Sequence, residues 1–148
     1  MTESQFEQAD GPLLACVGPA GDGEQLVRRA ADMARQAGLA WHAVYVETPR
    51  LQRIASAQRQ RILETLKLAE RLGAVTAVLA GSDSAALLAD YAIERQASRI
   101  VLGRARRAPW RRPHLMRIGA RAPAIELTEL AAGAARPGAA PTQRARGP

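Results

Sequence analysis

The feature that most constrains this chain is an alternation of short apolar runs with stretches that carry apolar residues at helical spacing. The runs are Pro12–Val17 (PLLACV), Trp41–Val46 (WHAVYV), Ala74–Leu79 (AVTAVL) and Ile100–Leu102. Each has strand length, and none shows the in/out polar alternation of a sheet that is wet on one side. Between the first two runs, Leu26, Ala30, Met33, Ala34 and Ala37 form one helical stripe. Asp22 stands at its N-cap and Gly38 where a left-handed C-cap belongs. A second helix is expected over Ala55–Leu72, with Ile62, Leu63, Leu66, Ala69 and Leu72 inward and Gly73 ending it. A third carries Leu87, Leu88, Tyr91 and Ala92 behind the turn Gly81-Ser82-Asp83. A short helix near Leu115–Ile118 and a last strand, Ala124–Thr128, follow. Regular alternation of this kind predicts an α/β domain, doubly wound, with helices on both faces of a parallel sheet.

The chain of 148 residues has the size of one domain. It is 47% apolar but only 3% aromatic, so the core must be built from Ala, Leu, Val and Ile. We expect a polar leader over 1–11, the domain over 12–130, and a disordered Ala/Gly/Pro/Arg tail over 131–148. The leader has neither a basic start nor an apolar stretch, and no run nears the roughly 18 residues of a membrane span, so a cytoplasmic location is expected. The lone cysteine, Cys16, excludes an intramolecular disulfide and reads as a buried, inert thiol.

Ligands of doubly wound sheets bind beyond the carboxyl ends of the strands, where strand order reverses. Two loops meet that description. Gly18-Pro19-Ala20-Gly21-Asp22-Gly23 is glycine-rich and precedes a helix, which suits backbone amides to phosphate. The other opens at Gly103 and runs through Pro113. Between Gly103 and Ile125 stand seven arginines (104, 106, 107, 111, 112, 117 and 121) and no acid, against a net charge of +7 for the whole chain. Guanidinium groups offer planar multi-donor forks to phosphate. The candidate ligand-binding set is Gly18, Pro19, Ala20, Gly21, Tyr45, Gly103, Arg104, Arg106, Arg107, Trp110, Arg111 and Arg112. In it Arg104, Arg106, Arg107, Arg111 and Arg112 neutralise the anion, while Trp41 and Tyr45 line the neighbouring strand end or pack.

Catalysis finds little support. His42 sits mid-strand and reads as a packed residue; His114 lies beside the arginine loop, and no serine has a nucleophile-elbow context. Asp83 and Asp90 fit a helix cap and a solvated face. One tryptophan among arginines makes a poor stacking platform, so nucleic acid is not favoured as a partner.

Several stretches carry a resemblance. Trp41-His-Ala-Val-Tyr-Val-Glu-Thr-Pro49, Leu14-Ala-Cys-Val-Gly18, Leu66-Lys-Leu-Ala-Glu-Arg-Leu-Gly-Ala74 and Ile100-Val-Leu-Gly-Arg104 with Trp110-Arg-Arg112 resemble the universal-stress-protein-like domain of Kdp potassium-sensor histidine kinases. The resemblance implies a five-stranded parallel sheet in the order 3-2-1-4-5, a regulatory role in signal transduction, and adenine nucleotides such as ATP as ligands. It also implies sensor-kinase domains as partners and a homodimer built on the last strand. ATP-binding members carry Gly-x2-Gly-x9-Gly-Ser/Thr after the fourth strand. Here Gly103 fills the first position, Arg106 the second, and no Gly-Ser/Thr pair follows. Members that bind cyclic di-AMP use an SxS motif and a Phe-Thr-Ala-x-Tyr motif. These fall on Gly18-Pro19-Ala20, without serine, and on Trp41-His-Ala-Val-Tyr45, so that dinucleotide is not expected through the same contacts. The Walker-type domain, membrane helices and kinase core of a full sensor are absent from these residues, which makes the chain a stand-alone relative or a domain excised from one. Two functions remain open: a non-catalytic regulatory domain binding an anionic ligand, and an interaction module whose arginine loop docks on a kinase domain or an anionic membrane surface.

Overall fold

The computed structural model describes residues 11–19, 22–104 and 111–131. The leader over 1–10 and the tail beyond 131 lie outside the described residues. The chain runs β1 (Leu13–Val17), α1 (Gly23–Ala37), β2 (Trp41–Glu47), a 3-10 turn at Leu51–Arg53, α2 (Ser56–Arg71) and β3 (Val75–Ala80). It continues through α3 (Ser84–Glu94), β4 (Arg99–Arg104), α4 (Arg111–Arg121) and β5 (Glu126–Ala131). The strands form one sheet in the order β3-β2-β1-β4-β5, and all four pairings are parallel.

Parallel strands buried on both faces need apolar side chains at every position, and β1 meets that demand: Leu13, Leu14 and Ala15 are wholly buried. Alternate residues feed two cores. Leu13, Ala15, Val17, Ala43, Tyr45 and Val101 pack with α1 and α2 on one face. Leu14, Val44, Val46, Ile100 and Leu102 pack with α3 and α4 on the other. Small helix residues, Ala30 and Ala34 on α1 and Ala89 and Ala92 on α3, let the helices approach closely in a core nearly without aromatics. Cys16 is only half-buried and packs at the margin of the second core.

The helix ends follow their cues in part. Gly38 adopts φ 70°, as a C-cap requires, and the Leu39 N–H donates to the Ala34 carbonyl at 2.8 Å. Asp83 caps α3 by accepting from the Ala86 N–H at 3.2 Å. Asp22 does not cap α1 through its side chain, although its carbonyl accepts the first helical hydrogen bond from Leu26.

Three boundaries differ from the sequence expectation. Strand β4 does not stop at Leu102: Gly103 and Arg104 continue the ladder opposite Leu130 and Ala131. The short helix expected at Leu115–Ile118 begins at Arg111 and ends at Arg121, because Pro113 falls in the first turn, where its missing N–H costs nothing. The last strand is shifted to Glu126–Ala131, in register with Arg99–Arg104.

His42 is a packed residue of the second face. Its Nδ1 lies 2.9 Å from the Tyr91 hydroxyl, the two rings meet edge to face, and the Arg95 guanidinium covers the Tyr91 ring at 4.1 Å. Burial first, and the nearby Arg95 charge second, hold the imidazole pKa below its ordinary 6.5.

Two consequences are measurable. Ile118, fully buried, anchors α4; Ile118→Ala should lower stability by roughly 2–5 kcal/mol in urea unfolding. Met116→Ala, on the exposed side of the same helix, should change it by less than about 0.5 kcal/mol. His42 gives a pH dependence. Its folded pKa is lowered, so below 6.5 the unfolded chain binds more protons than the folded one. The melting temperature should therefore fall between about pH 7.5 and about pH 5.5, and His42→Gln should flatten that part of the profile.

Candidate functional site

The strand order reverses at β1. The chain leaves β1 for β2 on one side, continues to β3 at the edge, and returns through α3 to lay β4 on the other side of β1. Cys16 pairs with Leu102, so the next residues, Val17 and Gly103, bring the two strands to their carboxyl ends side by side. Val17 also pairs with Tyr45, and Gly103 with Leu130. Tyr45, Val17, Gly103 and Leu130 thus form a row across the sheet beneath the start of α1. Gly18 follows the end of β1, and Gly103 lies in the last part of β4.

Among the described residues, nothing comes within 4 Å of the place of a Cβ on Gly18. At Gly103 the same construction meets an Asp22 carboxylate oxygen at 3.8 Å. The sequence reading passed over Asp22 as a cap residue. Its carboxylate instead lies beside the end of β4, where it offers a hydrogen-bond acceptor. An acid next to last in a glycine-rich loop is the available signal.

Tyr45 is 4% exposed, and its hydroxyl has no hydrogen-bond partner among the described residues. Burial, and next the Glu47 carboxylate, raise its pKa, while Arg59 opposes them. Beyond Tyr45 the β2–α2 connection is pinned from one side chain. Arg59 donates to Glu47 Oε2 at 3.1 Å and to the carbonyls of Leu51 and Gln52 at 3.3 and 3.0 Å. Thr48 Oγ1 accepts from the Leu51 N–H. Trp41 opens β2, so in a parallel sheet it stands at the edge opposite the switch point and packs in the first core. It does not line the site.

The arginine region divides. Arg117 donates to Asp83 at 2.6 Å, and Arg121 donates to both carboxylate oxygens of Asp90 at 2.8 and 3.1 Å. The Asp83 pKa lies below the ordinary carboxylate value, chiefly through the Ala86 N–H and then Arg117; that of Asp90 is lowered through Arg121. These two arginines join α4 to α3 and leave the cluster. Arg104 ends β4 at the switch point, while Arg111 and Arg112 occupy the first turn of α4, which holds no acid. Ala20, Gly21, Arg106, Arg107 and Trp110 lie outside the described residues. His114 is half-buried on α4. Among the described residues no cluster of His, Cys, Asp and Glu could hold a metal ion, and no helix is long and apolar enough to cross a membrane.

Comparison with known proteins agrees with this architecture. No family model matches the chain. Over 101 residues, 68% of its length, the chain is 46% identical to the sensor protein KdpD of Escherichia coli (strain K12). It spans only about a tenth of the length of the curated KdpD proteins it matches. Among solved structures, a universal stress protein in complex with cAMP superposes with a TM-score of 0.61 at 14% identity, covering 82% of this chain and 98% of that one. The universal stress protein from Archaeoglobus fulgidus in complex with dAMP superposes with a TM-score of 0.54 at 20% identity, covering 80% and 96%. By sequence and by strand order, the chain belongs to the universal-stress-protein-like domains of the KdpD sensor proteins.

Proposed function

We propose that the chain is a non-catalytic regulatory domain that binds an adenine nucleotide at the β1/β4 switch point and passes the bound state to the kinase part of a sensor. The observation that carries this reading is the adjacency of Gly18 and Gly103 at the carboxyl ends of neighbouring parallel strands, under the N-terminus of α1. Helix N-termini and open glycine backbone favour anions there. The universal stress proteins solved with cAMP and dAMP support the same ligand class.

The charges suggest how such a ligand lies. Asp22 above Gly103 repels a phosphate but accepts hydrogen bonds from ribose hydroxyls or an exocyclic amine. Phosphates belong further along, toward Arg104 and the start of α4. Two arginines stand there in a first turn where the helix dipole alone would favour an acid. An anion between them would be attracted by both. Arg106 and Arg107 complete the cationic side of the proposal, with Gly18 and Pro19 on the other. Cyclic di-AMP lacks its serines here, and we place it below the mononucleotides. The second reading, in which the arginine loop docks on a kinase domain or an anionic membrane, uses the same arginines without the pocket.

Calorimetric titration with ATP, ADP, AMP and cyclic di-AMP separates the two. One saturable site that discriminates adenine from guanine nucleotides, persists at about 500 mM salt and is lost in Arg104→Ala/Arg106→Ala/Arg107→Ala is expected. Absence of binding to every nucleotide would sink the sensing reading. Tyr45 supplies an independent check. Its buried, unpartnered hydroxyl is costly, so Tyr45→Phe should raise the ligand-free melting point, by about 1 kcal/mol of stability. If the hydroxyl meets the nucleotide, the same variant should bind it several-fold more weakly.

A further inference from the structure

A second charged feature lies away from the switch point, in the seam between α1 and α2. The α2 residues that border it, Arg61, Glu64, Thr65, Leu68 and Arg71, recur at the spacing of one helix face. Two packed helices ordinarily close such a seam with apolar residues; here the charged stripe leaves a groove of about 370 Å³, which Lys67 and Arg28 also line. At its head Gly23 lies so close to α2 that a Cβ there would come 2.9 Å from Thr65 Oγ1. The contact brings the first turn of α1 and the Thr65 hydroxyl to the same end of the groove.

The charges on its two walls are not balanced alike. On α1, Arg28 is paired with Glu24 at 3.2 Å. On α2, Arg61, Lys67 and Arg71 have no carboxylate partner among the described residues, and Glu64 accepts only a long hydrogen bond from Gln60. Three uncompensated cations therefore face one uncompensated acid. Like charges held along one helix face repel, so the arrangement is relieved by an added anion with several negative charges.

We infer that the α1–α2 groove is a binding site for a small, multiply charged phosphate-bearing anion, separate from the switch-point site. Arg61, Lys67 and Arg71 supply the charge, and Thr65 a hydroxyl donor. The site spans α2 from Arg61 to Arg71 and needs no residue of the arginine loop, so it stands or falls independently of nucleotide binding.

Inorganic tripolyphosphate is a suitable probe, titrated by calorimetry at about 150 mM salt, where screening suppresses diffuse attraction. Arg61→Gln/Lys67→Gln/Arg71→Gln should weaken binding at least about tenfold, and Glu64→Gln should tighten it, because each opposes or assists the charge of the groove. Arg104→Gln/Arg106→Gln/Arg107→Gln should leave a saturable site intact. The substituted side chains on α2 are exposed, and an unchanged melting curve verifies the fold. Wild-type affinity in the α2 variant, or loss of all binding in the loop variant alone, would overturn the assignment.

Discussion

The structure depends on the double pairing of β1. Leu13 to Cys16 hydrogen-bond in parallel to β2 on one side and to β4 on the other. A strand in this position has both edges and both faces consumed, so every side chain must be apolar and every backbone group must find its partner in the ladder. The LLACV sequence answers the first demand, and the two neighbours answer the second. Because the neighbours come from opposite directions along the chain, the same pairing creates the reversal of strand order. The crevice proposed to bind the nucleotide is thus a geometric consequence of how the core strand is satisfied.

That constraint also explains the composition. With Val, Leu and Ile on the strands, helices can be held close by alanine, and the sheet carries the larger residues. The price is a core with few bulky anchors, in which single residues such as Leu88 and Ile118 hold whole helices in place. The two exposed Arg–Asp pairs between α3 and α4 add orientation more than stability, since water and salt screen them and two long side chains must be held in one geometry.

Most of the fold was legible because parallel strands and amphipathic helices write themselves in periodicity. PLLACV and WHAVYV appear as expected, and the stripe that starts at Leu26 holds as far as Ala34, while Ala37 is exposed. What escaped was set by contacts distant in sequence. Gly103 and Arg104 look like a loop until Leu130 and Ala131 are there to pair with them. Arg117 and Arg121 look like members of the arginine cluster until α3 brings Asp83 and Asp90 beside them. Asp22 carries a cap residue's identity at a cap residue's position, yet its carboxylate turns toward Gly103. In each case local propensity named the residue, and the tertiary partner decided its role.

The resulting charge distribution follows the sheet. On the α3/α4 face, acids of one helix meet arginines of the next. At the switch point the Asp22 carboxylate lies beside Gly103, so the proposed ligand there has a hydrogen-bonding end as well as an anionic one. In the α1–α2 seam, the acids of α1 are spent on its own arginines at helical spacing, Glu24 with Arg28 and Asp32 with Arg35. No acid of α1 is left to answer α2, whose groove cations face only its own Glu64. Local i, i+3 and i, i+4 pairing on one helix therefore determines the net charge its neighbour presents. A domain with +7 overall thus concentrates its unanswered charge in particular places, and those places are where an anionic partner has most to gain.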